Sequence, residues 1–171
     1  HIHLLGSVRP ETLLWLADNS GLDNRWNSVE EVKKYFTFED FPHFLDVFTT
    51  CITYVTKESM FERLAYETLE DQAAQNVLHT ELIFAAPQRV RRANMDFGLM
   101  MKHLNRGIAK AESEFGLTCS TRIDLIRDYE AEYCEKFLDV IEDAPEGVVG
   151  IELGGYETDF PPAMFKASYD K

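Results

Sequence analysis

Apolar positions along this chain switch between two spacings. Some segments alternate or run briefly, as strands do, and others repeat every three to four residues, as amphipathic helices do. HIHLLG at the start reads as a strand. Pro10 is then a good first helical residue, and ETLLWLADNSG places Leu13, Leu14, Leu16 and Ala17 on one face before Gly21 stops the helix. A second helix is predicted from Val29 to Tyr35, and a third from Pro42 within the phenylalanine-dense FTFEDFPHFLDVFTTCITYV. SMFERLAYETLEDQAAQ carries Phe61, Leu64, Ala65, Thr68 and Leu69 at helical spacing. VLHTELIFA, β-branched and alternating, predicts a second strand. FGLMMKHLNRGIAKAESEFG is a long helix closed by Gly116, and LTCSTRIDLIR is a third strand followed by a helix over YEAEYCEKFLDVIEDA. VVGIELGG is a fourth strand, and PPAMFKASYDK opens a further helix.

Strands alternating with helices pair in parallel through right-handed crossovers. Four such units leave two architectures, a small doubly wound sheet or half of a closed barrel, which in full takes about 250 residues. A chain of 171 residues is long enough for one sizeable core, and no repeat or low-complexity linker marks a second domain. The chain begins at His1 and ends at FKASYDK inside a predicted helix, and these ends predict a piece of a longer protein.

Charge narrows the partners. The formal net charge of -13 argues against a nucleic-acid backbone or an anionic membrane surface. No apolar run approaches the roughly 20 residues of a membrane span, and no signal peptide is visible. Cys51, Cys119 and Cys134 are odd in number and widely spaced, which predicts reduced, packed cysteines in a cytoplasmic protein.

The candidate chemistry starts at His1 and His3. On a strand, residues i and i+2 share a face, and two imidazoles there suit a divalent metal such as zinc. Spacing alone fits a surface pair or a tag remnant equally well.

HIHLLGSVRPETLLWLA resembles the first strand and following helix of the adenosine deaminase family, within the amidohydrolase superfamily of metal-dependent barrels. FPHFLDVF is similar to that family's phenylalanine-rich lid, and RLAYETLEDQAAQNVLHTEL to its next helix and second strand. VVGIELGGYE resembles its fourth strand, which commonly ends D-L-A-G-x-E. The resemblance covers essentially the whole chain and stops before the family's H-A-G-E strand. It implies an α/β fold, a (β/α)8 TIM-type barrel, with residues 1–171 forming the N-terminal half of one barrel domain. It also implies one zinc at the C-terminal mouth and hydrolytic deamination of adenosine or a related 6-aminopurine nucleoside, releasing ammonia.

Under this resemblance His1 and His3 match the first two metal ligands. The family's remaining ligands and its acid and water-orienting groups lie downstream, so no catalytic residue is expected within the chain. Gly155 matches a glycine whose backbone approaches the purine; read alone, it is a strand-to-loop turn. Phe41, Phe44 and Leu45 match the hydrophobic lid, whereas periodicity alone makes them helix core. Leu5 departs from the pattern, because most members place a carboxylate there, which in adenosine deaminases binds the ribose 5′ hydroxyl. Leucine cannot accept that bond, which predicts weaker dependence on the hydroxyl. Glu152 stands where the family usually has aspartate, with no clear consequence.

Glu81 reads as support for the barrel interior, and Arg122 and Arg127 as solvated or structural. His43, His79 and His103 have no metal spacing with each other. The expected partners are a small-molecule purine nucleoside and the remainder of the same barrel. Two alternatives stay open. One is a deaminase of adenine, a nucleotide or a 5′-modified nucleoside, and the other is a non-catalytic barrel fragment serving binding or assembly.

Overall fold

The computed structural model describes residues 1–142 and 147–171. Its sheet is parallel throughout, with β1 (Ile2–His3), β2 (His79–Phe84), β3 (Thr118–Asp124) and β4 (Val148–Glu152) lying side by side in sequence order. A doubly wound sheet reverses its strand order at a switch point. This one does not, so the strands form an arc of a barrel.

Helices α1 (Pro10–Ser20), α2 (Val29–Tyr35), α3 (Phe41–Tyr54) and α4 (Met60–Ala74) connect β1 to β2. After β2 come α5 (Ala86–Ala93) and α6 (Phe97–Phe115); α7 (Ala131–Glu142) follows β3, and α8 (Lys166–Asp170) follows β4. The core lies between the sheet and these helices. Leu82 and Phe84 of β2 are fully buried with Phe61 and Leu69 of α4 and with Met100, Met101 and Leu104 of α6. Phe61 meets Phe84 edge to face at 4.9 Å, an arrangement the ring quadrupoles favour. Helices α4 and α6 approach closely because position 107 is glycine, where a Cβ would overlap the Glu62 carbonyl. Arg9 ties the start of α1 to the end of α4, donating from Nε and Nη2 to the Asp71 carboxylate at 2.9 and 2.7 Å.

The predicted element order holds, with local differences. The first strand stops at His3, and Leu4–Gly6 form a 3-10 turn. Leu4 and Leu5 are both buried, which an alternating strand with one solvent face does not allow. Helix α5 was not expected; it is short, opens with Pro87 in its first turn and ends with Arg91 and Arg92. PPAMFKASYDK contains a 3-10 turn over Pro162–Phe165 before α8. The helix predicted over YEAEYCEKFLDVIEDA runs from Ala131 to Glu142, and its last two predicted residues, Asp143 and Ala144, lie outside the described residues.

The periodicity reading of Phe41, Phe44 and Leu45 as helix core is corrected. Asp40 caps α3 by accepting the His43 N–H at 2.8 Å, and the buried positions begin only at Val47. The N-terminal half of α3 stands proud, leaving Phe41 68% exposed. Cys51, Cys119 and Cys134 are free, and burial pushes the Cys51 and Cys119 thiols up to about 12. Among the described residues no helix is long and apolar enough to cross a membrane.

Candidate active site

Side chains on alternate strand positions divide between the helix-covered face and the inside of the arc. On the inside, the strands or their flanking residues bring four charged or titratable groups together. His1 places Nε2 2.7 Å from Glu81 Oε2 and Nδ1 3.3 Å from Glu152 Oε1. Arg122 sits between the carboxylates, with Nη1 3.6 Å from Glu81 Oε1 and Nε 3.1 Å from Glu152 Oε1. Neighbouring strands lie about 4.8 Å apart, so a flat sheet would hold β1 and β4 roughly 14 Å apart. Contact between His1 and Glu152 is made because the sheet curls. Glu81 supports the interior, as expected, and Arg122 joins it there.

Asp124 closes β3 on the same face and was not singled out from the sequence. The alternation of Ser120, Arg122 and Asp124 along LTCSTRIDLIR was the available signal. Its carboxylate accepts the Gly154 N–H at 2.6 Å. Burial raises the Asp124 carboxyl, opposed by that hydrogen bond.

A cleft of about 800 Å³ runs along the edge of β1 that pairs with no strand among the described residues. His3, Gly6 and Ser7 form one wall, Phe41, Phe44, Leu45 and Phe48 another, and Thr68, Asp71 and Gln72 of α4 supply polar groups. The structure therefore gathers His3, Phe41, Phe44 and Leu45 around one space. Leu5 does not border it. It is 4% exposed and faces a smaller cavity, about 150 Å³, with Phe36, Val47 and the far sides of Phe44 and Phe48. Gly155 stands away from the cleft, past the end of β4, in the left-handed region at φ 102° against Arg127 and Asp128. Arg127 is structural: buried, it donates to the Leu153 and Phe160 carbonyls at 3.2 and 2.8 Å. His43 and His103 bond the Glu39 N–H and Glu62, and His79, two residues before Glu81 on β2, bonds Thr118.

Zinc takes about four donors, with imidazole among the commonest. His1 and His3 offer two, and among the described residues no group of three or more His, Cys, Asp or Glu is arranged to hold a metal ion. The donor chemistry of two imidazoles suits zinc.

A curled, sequentially ordered parallel arc with paired histidines at its first strand defines part of a (β/α)8 barrel of the amidohydrolase kind. The chain belongs to the adenosine deaminase family, which it matches over residues 1–171. It is 29% identical over 165 residues to an adenine deaminase from Vibrio parahaemolyticus, covering 96% of this chain and 49% of that protein. Among solved structures, it resembles an adenine deaminase from Arthrobacter aurescens with a TM-score of 0.87 and 25% identity, covering 99% of this chain and 52% of the other. It also resembles an amidohydrolase from Burkholderia ambifaria crystallised with bound zinc, with a TM-score of 0.86 and 27% identity over 99% of this chain and 47% of the other. The chain spans about half the length of the curated relatives it matches.

Proposed function

We propose that the full-length protein hydrolytically removes the 6-amino group of a purine as ammonia, and that adenine is a better substrate than adenosine. The similarity to proteins named adenine deaminases carries the substrate preference, and a secondary support is Leu5, which lies behind the lid and not on the cleft. This leucine is buried against phenylalanines and offers no acceptor where the family pattern has a carboxylate for the ribose 5′ hydroxyl. A pocket built around a hydroxyl rejects ligands that lack it, because its polar groups are left unpaired. Leucine removes both the bond and that penalty.

In this reading His1 and His3 hold a zinc ion together with donors from the remainder of the barrel. When bound, zinc supplies Lewis-acid activation of water near neutral pH. Phe41, Phe44 and Leu45 cover the purine and keep bulk water from it. The outer edges of β1 and β4 pair with further strands to close the barrel.

An ultraviolet deamination assay on the zinc-loaded full-length protein tests this. The expected kcat/KM is at least about tenfold higher on adenine than on adenosine, the size of effect that a pocket misfit produces. A higher value on adenosine overturns the preference. Zinc bound with no turnover of either purine overturns deamination of both and leaves a binding role.

A further inference from the structure

We infer that Arg122, Glu81 and Glu152 form a two-sided positioning clamp for His1, and that glutamate at position 152 is what lets the clamp close. The inference rests on reading His1 as a zinc ligand. An imidazole binds metal through one ring nitrogen, and the partner of the other nitrogen sets the ring's tautomer and orientation. Here each nitrogen faces its own carboxylate, Glu81 at Nε2 and Glu152 at Nδ1. A metal on Nε2 would take the place of Glu81 at that nitrogen and leave Glu152 as the acceptor at Nδ1.

Two carboxylates about one imidazole repel each other unless a cation lies between them. Arg122 is that cation. Its guanidinium pairs with both, and Nη2 donates to the Ile151 carbonyl at 3.2 Å, which anchors it to β4. Its Nε is buried without a hydrogen-bond partner among the described residues, so charge rather than a well-angled bond holds it to Glu152. The guanidinium lies across Gly150, where a Cβ would come within 3.1 Å of Cζ. A side chain at 150 would lift Arg122 off the strand. The three charged side chains are only about a quarter exposed (28% for Arg122, 24% for Glu81 and 26% for Glu152), so solvent screens them incompletely. Aspartate at 152 would withdraw the carboxylate by about one carbon–carbon bond, roughly 1.5 Å, and leave His1 Nδ1 without its partner.

The test is zinc affinity by chelator competition on the full-length protein, with Arg122→Met, Glu152→Gln and Glu152→Asp. The nitrogen-15 shifts of the His1 ring and urea unfolding of the metal-free forms are read alongside. Arg122→Met and Glu152→Gln are expected to weaken zinc binding 10- to 100-fold. Glu152→Asp is expected to fall between these and the parent, with altered His1 ring shifts and unchanged metal-free unfolding. If the parent binds no zinc, the metal reading fails and takes the clamp with it. If the parent binds zinc and all three variants match it within about twofold, the clamp alone is wrong, since lost partners of a metal ligand cost more than that. Affinity losses that merely follow losses in metal-free stability also overturn it, because they mark a structural role.

Discussion

Along β2 one face is apolar and packed on the helices, while the other carries His79 and Glu81 beside a buried Ile83. Thr80, Leu82 and Phe84 turn toward the helices and are buried, the last two completely. Glu81, between them, turns inward to His1 and Arg122 and keeps partial contact with solvent. The helix-covered face is a close-packed apolar layer whose worth lies in area removed from water. The inner face is a set of charges whose worth lies in placement. One face keeps the chain folded, and the other is free to vary its chemistry as long as its charges are balanced.

The comparison predicts that damage to each face shows up in a different measurement. The largest effect on stability belongs to Phe84→Ala, which empties a fully buried site against Phe61. It is expected to cost about 3–5 kcal/mol in urea unfolding of the full-length protein. An equal cost from Glu81→Gln would erase the distinction between faces. His3→Ala is expected to lower zinc affinity and deamination by more than about 100-fold, beyond the range for residues that only support a ligand. The unfolding free energy of its metal-free form should stay close to that of the metal-free parent, and a large loss there would place His3 with the core instead.

Asp124 sits between the two behaviours, being buried yet on the inner face. Its carboxyl is raised by burial, so the folded state holds the proton at a higher pH than the unfolded chain. Its ionisation therefore costs stability, and that cost grows as pH climbs above the ordinary carboxylate range of about 4. Asp124→Asn is expected to remove this decline; unfolding curves from pH 4 to 8 that remain parallel to the parent would refute it. The smallest effect is Arg9→Ala. Its pair with Asp71 is partly exposed on the helical side and is worth about 1 kcal/mol or less. Raising the salt concentration should shrink the difference between Arg9→Ala and the parent, and a salt-independent loss would assign Arg9 a packing role.

Much of this molecule was legible before folding was considered. Helix α2 falls on its predicted residues because Ser28 caps it and its first turn is acidic, both local signals. α5 escaped because its eight residues, with three arginines, a glutamine and a proline, hold too few apolar positions to mark a buried face. The helix from Phe41 was legible in the sequence, but its phenylalanines' exposure to a cleft was not, since phenylalanines at helical spacing look the same whether they meet a core or a cleft. Asp124 was hidden because a single carboxylate at a strand end has no spacing partner in the sequence.

The sequence by itself determined the alternation of strands and helices, the family, and the placing of His1 and His3 on a common face. All of these depend on repeats or motifs read within a few residues of one another. Only the tertiary structure decided that Glu81, Arg122 and Glu152 meet at His1, and that Leu5 and Gly155 stand apart from the cleft beside His3. Those contacts join residues from successive strands far apart in the chain. They depend on parallel register and on how tightly the sheet curls, and both are set by the packing of whole helices on its outer face.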